Sequence, residues 1–235
     1  MGERTTYRLE DGIATITMDD GKVNVLSNEM QAELNAALDR AMADQAVIVL
    51  SGRPGIFSAG FDLSVFQAGG PEAVRMLIGG FEVAERLLSF PRPVVIACPG
   101  HAIAMGVFLL LSGDYRIGAA GPYKITANEV AINMTMPETA IEICRQRLAP
   151  AHLVRAVTLA EVYSPADAVA AGFLDRIVEP DELSQTAHDV ATSLAALSLE
   201  AHEATKQRVR RGSLAAIRAA IEVDAASFTP AAGPE

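Results

Sequence analysis

The sequence predicts an α/β protein with a largely parallel sheet and a helical C-terminal region. Three observations carry this. Short all-apolar runs, Ala46-Val47-Ile48-Val49-Leu50 and Val94-Val95-Ile96-Ala97-Cys98, read as strands buried on both faces. Strands of this kind alternate with stretches of helical apolar spacing, the pattern of βαβ units. The last third then becomes Ala-rich and helical.

Taken in order, residues 5–9 and 13–18 form two strands around the turn Glu10-Asp11-Gly12. Ile13, Thr15 and Thr17 alternate with Ala14, Ile16 and Met18, as a hairpin requires. Met30, Leu34, Leu38 and Met42 recur every four residues on one helix face, with Ser27 or Asn28 as N-cap. After the strand at 46–50, a helix over about 71–88 carries Val74, Leu77, Ile78, Phe81, Val83, Leu87 and Leu88, and Pro91 and Pro93 close it. Pro99-Gly100 ends the next strand. Gly106 to Leu111 reads as a buried helix stopped by Gly113, and Asp114 to Gly118 as a third buried strand. Ser164-Pro165 is a helix start, Gly172 its stop, and Leu174 to Val178 a returning strand. Helix then runs from Asp181 to Ser227, broken near Leu199 and Gly212, and the tail 229–235 reads as frayed.

Composition narrows the function. Half of the 235 residues are hydrophobic and 20% are charged, which suits a globular chain rather than a disordered one. A net charge of -10 opposes binding to a nucleic-acid backbone, which needs a Lys and Arg footprint. No apolar run is long enough to span a bilayer and no signal-peptide pattern opens the chain, so a cytoplasmic location is expected. Cys98 and Cys144 sit in apolar surroundings and read as reduced core residues; no Cys/His spacing suggests a metal.

Two segments share a design. Ser58-Ala59-Gly60-Phe61-Asp62-Leu63 and Ala102-Ile103-Ala104-Met105-Gly106-Val107 each pass from a strand through a small-residue turn into an apolar element. Small residues let a ligand approach the main chain, and two backbone N–H groups converging on one oxygen make an oxyanion hole. Either segment alone is equally an ordinary strand-to-helix turn.

Together and in this order, "IFSAGFDLSVF", "PRPVVIACPGHAIAMGVFLLLSGDYRIGA" and "SPADAVAAGFLDRIV" resemble the crotonase, or enoyl-CoA hydratase/isomerase, family over roughly residues 5–228. The resemblance implies a ββα spiral core over 1–180 and a helical C-terminal region over 181–228 within the same domain. It further implies a homotrimer or dimer of trimers. The substrate would be an acyl-CoA thioester, so coenzyme A arrives with the substrate and no separate cofactor is expected. By position, the N–H groups of Phe61 and Met105 would form the oxyanion hole, Phe61 serving through its N–H rather than its ring. Lys22 stands where the family tends to contact the CoA nucleotide, although the chain is about one residue short there. Val23, Val25, Ala59, Gly60, Leu63 and Ala104 would contact the thioester and its pantetheine arm. Asp62 is either a turn cap or an adenine-side hydrogen-bonding group.

The carboxylates separate the reactions. Hydratases of the family use two glutamates, and the first position here is Phe108, which would instead line the acyl pocket. The second matches Glu129 in "ITANEVAIN", behind Asn128, an "NE" pair like that of the isomerase branch. Hydration needs water activated at one carbon and a proton delivered to the next. One base suffices to move a proton from C2 to C4 through a dienolate. The resemblance therefore implies a Δ3-Δ2-enoyl-CoA isomerase. An enoyl-CoA hydratase of fatty acid oxidation and a catalytically silent acyl-CoA-binding module stay open beside it. The basic stretch Lys206 to Arg211 reads as a solvated helix face or as a substitute nucleotide contact, and Arg116 and Asp114 as sheet braces.

Overall fold

A computed structural model describes residues 3–228. Strands β1 (Thr5–Glu10) and β2 (Ile13–Met18) form the hairpin, antiparallel with Glu10 opposite Ile13. Asp11 and Gly12 both take positive φ, at 48° and 76°, as a two-residue hairpin loop demands. Helix α1 (Asn28–Ala43) starts at Ser27, whose hydroxyl accepts from the Met30 N–H. Met30, Leu34 and Leu38 are buried as their spacing predicts, but Met42 is exposed; in the last turn Ala41 takes the buried position instead.

Three units follow, each a strand in the main sheet and then a strand in a second sheet. The first is β3 (Val47–Ser51) and β4 (Gly55–Ser58), leading to helices α2 (Leu63–Ala68) and α3 (Gly70–Ser89). The second is β5 (Val94–Cys98) and β6 (Gly100–Ile103), leading to α4 (Met105–Leu111). The third is β7 (Tyr115–Ala119) and β8 (Ile125–Thr126), leading to a single 3₁₀ turn at Val130–Ile132 and helix α5 (Glu138–Arg145). Helices α6 (Pro150–Thr158) and α7 (Pro165–Ala171) precede β9 (Arg176–Val178). The main sheet runs β1-β2-β3-β5-β7-β9, parallel from β2 onward, and the second runs β4-β6-β8, all parallel. This is an α/β fold of ββα turns; alternation in the sequence located the main-sheet strand of each unit and missed its short partner.

The central strands of the main sheet are buried on both faces, which is why β3 and β5 are apolar nearly throughout, while the edge strands β1 and β9 are largely exposed. Ile48, Leu50, Val94, Ile96 and Cys98 join the core with α1, α3 and α4. Val47, Val49, Val95, Ala97 and Ile117 face Leu183, Ala187 and Ala191 of α8 (Leu183–Ala195). Burial raises both cysteine thiols, Cys98 to about 12, in keeping with inert core residues.

The C-terminal helix α9 (Leu199–Phe228) is continuous through Gly212, so the expected break there is absent. A helical Gly costs about 1 kcal/mol relative to Ala, and the side chains of α9 more than offset it by docking. Gln207 and Arg210 donate to Ser89 and Leu88 carbonyls at the C-terminus of α3. Asp224 accepts from the Glu138 and Thr139 N–H groups at 3.0 and 2.9 Å, capping α5 from a distant helix. The stretch 206–211 is also not simply solvated. Lys206 is buried against Asp114 at 2.7 Å and Arg210 against the same carboxylate at 2.9 Å, so neither is free to reach a nucleotide. Arg116 braces the sheet as expected, held by Asp175 and the Gly172 carbonyl. The tail 229–235 lies outside the described residues.

Candidate active site

The short second sheet builds the site. Strand β4 ends in Ser58, β6 in Ile103 and β8 in Thr126, so the three segments leaving these strands emerge side by side. Gly60 turns with φ +92°, and a methyl group built on it would lie 2.8 Å from the Ala104 Cβ and 3.1 Å from the Met105 nitrogen. The two small-residue turns are therefore in contact, and Gly is required there by both conformation and space. Ser58 locks the first turn: its hydroxyl donates to the Asn24 carbonyl at 2.7 Å and accepts from the Gly60 N–H at 3.1 Å. Asn24 is itself buried, and its amide donates to the Met18 and Phe57 carbonyls. Sequence reasoning passed over both braces; the signal was a polar pair at apolar surroundings.

Ala104 holds φ 51° and ψ -124°, a conformation that normally selects Gly, immediately before α4. Its carbonyl accepts from the Val107 N–H at 2.8 Å, which leaves the Met105 N–H as one of the unpaired donors of the helix start. Among the described hydrogen bonds, neither the Phe61 nor the Met105 N–H donates to a group of the protein.

A cavity of about 80 Å³ lies over these turns. Ala59, Phe61, Leu63, Phe66 and Ala104 form one side, and Asn128, Glu129, Ile132 and Met134 the other. Glu129 is only 5% exposed, and its Oε2 is buried without a hydrogen-bond partner, as is Asn128 Oδ1. Burial pushes the Glu129 carboxyl up to about 7. Its main chain is fixed: its carbonyl accepts from Ile132 and Met134 at 3.1 and 2.9 Å. A rigid backbone thus holds a desolvated acid against an apolar cavity.

The other expected residues divide. Val25 pairs with Gly60, and the Val23 carbonyl accepts from Ala59 at 3.0 Å, so both lie along the first turn. Lys22 is exposed on an Asp20-capped turn, where its charge helps hold the Asp62 carboxyl below its usual range, after the larger effect of the Ser64 hydroxyl. Asp62 is the N-cap of α2, accepting from the Ser64 N–H at 2.9 Å. The Phe61 ring does more than accompany its N–H. It stands edge-on to Phe66 and Phe81, with centroids 5.4 and 6.1 Å away. Phe108 does not line the cavity: its ring tilts against Phe81 at 6.2 Å, one layer behind Phe61, because α4 is buried on every side. Phe66, Ile132 and Met134 were not expected; nothing in their spacing marks them as lining one cavity.

Among the described residues no group of acidic, His or Cys side chains could hold a metal, and no helix is long and apolar enough to cross a membrane. A family model described as enoyl-CoA hydratase/isomerase matches residues 8–232. The mitochondrial enoyl-CoA delta isomerase 1 of Mus musculus is 29% identical over 223 residues, covering 93% of this chain and 77% of its own length. A Mycobacterium tuberculosis structure described as a probable enoyl-CoA hydratase is 49% identical, with a TM-score of 0.94 over 96% of each chain. An apo structure from the same species, described as an enoyl-CoA isomerase, is 48% identical with a TM-score of 0.93, over 97% of this chain and 100% of its own. The human mitochondrial Δ3-Δ2-enoyl-CoA isomerase structure is 25% identical with a TM-score of 0.89, over 97% of this chain and 93% of its own. With its two adjoining turns, its buried acid and a family match across nearly its whole length, the chain belongs to the enoyl-CoA hydratase/isomerase, or crotonase, family.

Proposed function

We propose that this protein is a Δ3-Δ2-enoyl-CoA isomerase that uses Glu129 as its single acid/base. The observation that carries this reading is one buried, unpartnered carboxylate facing two turns whose N–H groups are unengaged, with no second acid lining the cavity. In this reading the thioester oxygen lies between the Phe61 and Met105 N–H groups. Glu129 takes a proton from C2, and the negative charge spreads into a dienolate centred on that oxygen. The same carboxylic acid returns the proton at C4. A pKa of about 7 suits both halves, since carboxylate and acid are comparably populated at neutral pH. Each oxyanion donor typically contributes about 3–4 kcal/mol to such a transition state. Hydration would ask one acid to activate water and the neighbouring carbon to find its proton elsewhere.

The test is conversion of a short 3-enoyl-CoA in heavy water by the wild type and by Glu129→Gln. The expected result is Glu129-dependent formation of the 2-enoyl thioester with no 3-hydroxy product, deuterium entering C4 only to the extent that the Glu129 acid exchanges with solvent before it returns the proton. The loss in the variant should be about 10²–10⁴-fold in kcat. A 3-hydroxy product as the main species would replace this reading with a hydratase. Binding without conversion would replace it with an acyl-CoA-binding role.

A further inference from the structure

The Glu129 cavity, about 80 Å³, lies far below the roughly 300–1,000 Å³ of sites that enclose a drug-sized ligand. A succession of aromatic rings limits it. Phe66 of α2 stands edge-on to Phe61, Phe61 edge-on to Phe81, and Phe81 tilts against Phe108, so rings fill the space between α2, α3 and α4. Of these four, Phe61 and Phe66 line the cavity.

The two lining rings are held differently. Phe61 is wedged against the backbone of α3: a methyl group built on Gly80 would collide with its ring, so Gly80 is the slot in which the ring sits. Helix α3 is tied in place there, because the buried Gln31 amide of α1 donates to the Leu26 and Met76 carbonyls at 2.9 and 2.8 Å. The opposite wall is fixed as well, since the Ile132 and Met134 N–H groups both donate to the Glu129 carbonyl. Phe66, by contrast, is half-buried on α2, a helix with no fully buried residue. It is the ring that a substitution can remove while the Phe61 floor and the Glu129 loop stay in place.

We propose that Phe66, backed by Phe61, sets the acyl length this protein accepts: a short group of about four to six carbons, whose end meets the two rings in close-packed contact. The inference rests on the cavity being the acyl site of a CoA thioester, as in the function proposed above. A buried methylene normally strengthens binding about fourfold, so an open pocket would reward each added carbon. A pocket closed by packed rings gives no such reward, and extra methylenes forced into it drive side chains off their rotamers.

The experiment is calorimetric titration of the full chain with butanoyl-, hexanoyl- and decanoyl-CoA, for the wild type, Phe66→Ala and Phe66→Trp. These saturated thioesters have no double bond to move, so the result is independent of the isomerase reading, which conversion of a 3-enoyl-CoA decides. The expected result is that decanoyl-CoA binds the wild type no more tightly than butanoyl-CoA, where an open pocket would give a gain of about a hundredfold or more. Phe66→Ala should raise the decanoyl-to-butanoyl affinity ratio about tenfold or more, and Phe66→Trp should lower the hexanoyl-to-butanoyl ratio. Phe66→Leu gives the same direction with a smaller change if Phe66→Ala does not fold. Wild-type affinity that climbs with chain length overturns the proposal. So does a ratio unmoved by removal of the Phe66 ring, which would put the stop elsewhere. Absence of saturable binding by all three thioesters overturns it too, by removing the acyl site itself.

Discussion

Two buried ionisable regions of this molecule are built on opposite plans. Asp114 accepts from the Val94 N–H and pairs with Lys206 and Arg210, so its charge is surrounded by donors. Glu129 is more deeply buried, yet its Oε2 has no donor at all. The first arrangement gives each charge an opposite partner and ties α9 to the sheet. The second destabilises the charged state, raising the Glu129 carboxyl to about 7. A buried charge with full partners reads as architecture, and one without them as chemistry.

The largest way to break this comparison is Asp114→Asn. Removing the charge leaves Lys206 and Arg210 buried without their counter-ion, and denaturant unfolding should show a loss of about 3–5 kcal/mol. Turnover per folded molecule should be unchanged. Next is Glu129→Gln, which should move stability in the other direction. The folded pKa of about 7 lies above the ordinary 4.5, so the folded state keeps its proton where the unfolded chain has lost it. The contribution of Glu129 to stability is full below about pH 4.5 and is lost as pH rises through about 7. The gap corresponds to up to about 3 kcal/mol. Unfolding curves at pH 5 and pH 8 should therefore show a fall in the wild type that is absent in Glu129→Gln, leaving the variant the more stable at pH 8. A variant destabilised at pH 8 would show that Glu129 has partners after all.

Smaller effects sharpen the comparison within the site. Phe61→Leu keeps the N–H but removes two edge-on ring contacts. It should cost about 1–2 kcal/mol in thermal or chemical unfolding while leaving most of the turnover. Ala104→Gly relieves a positive φ at the second turn. It should stabilise the fold by roughly 0.5–1 kcal/mol, and a loss of turnover with it would show that the strain is needed to aim the Met105 N–H.

The sequence was most legible where burial is complete. The all-apolar strands β3 and β5 and the Ser164-Pro165 helix start appear where their residues place them. The second sheet was hidden, because strands of four, four and two residues with Gly and Ser in them carry too little periodicity to stand out from turns. That sheet nonetheless positions the site, so Phe61 and Met105 were identified through family resemblance rather than through the strands before them. Glu129 was likewise singled out through the resemblance; by its own residues it reads equally as a surface carboxylate on a loop. Phe108 was misplaced because a residue's rank behind a pocket wall depends on three-dimensional layering, here Phe61, Phe81 and Phe108 in succession. Gly212 was misread because tertiary docking of α9 overrides a local propensity cost.

That docking also sets an order of assembly during synthesis. Asp114 meets Lys206 across 92 positions, and Glu138 meets Asp224 across 86. While α9 is still inside the ribosome, the emerging chain already contains β7, β8 and the Glu129 loop. It carries an acid at residue 114 with no counter-ion and a helix α5 with a bare first turn. The nascent site must wait for the final helix to arrive, so cleavage of the loop between residues 127 and 137 by an added protease should be rapid on stalled chains and slow once α9 has been released.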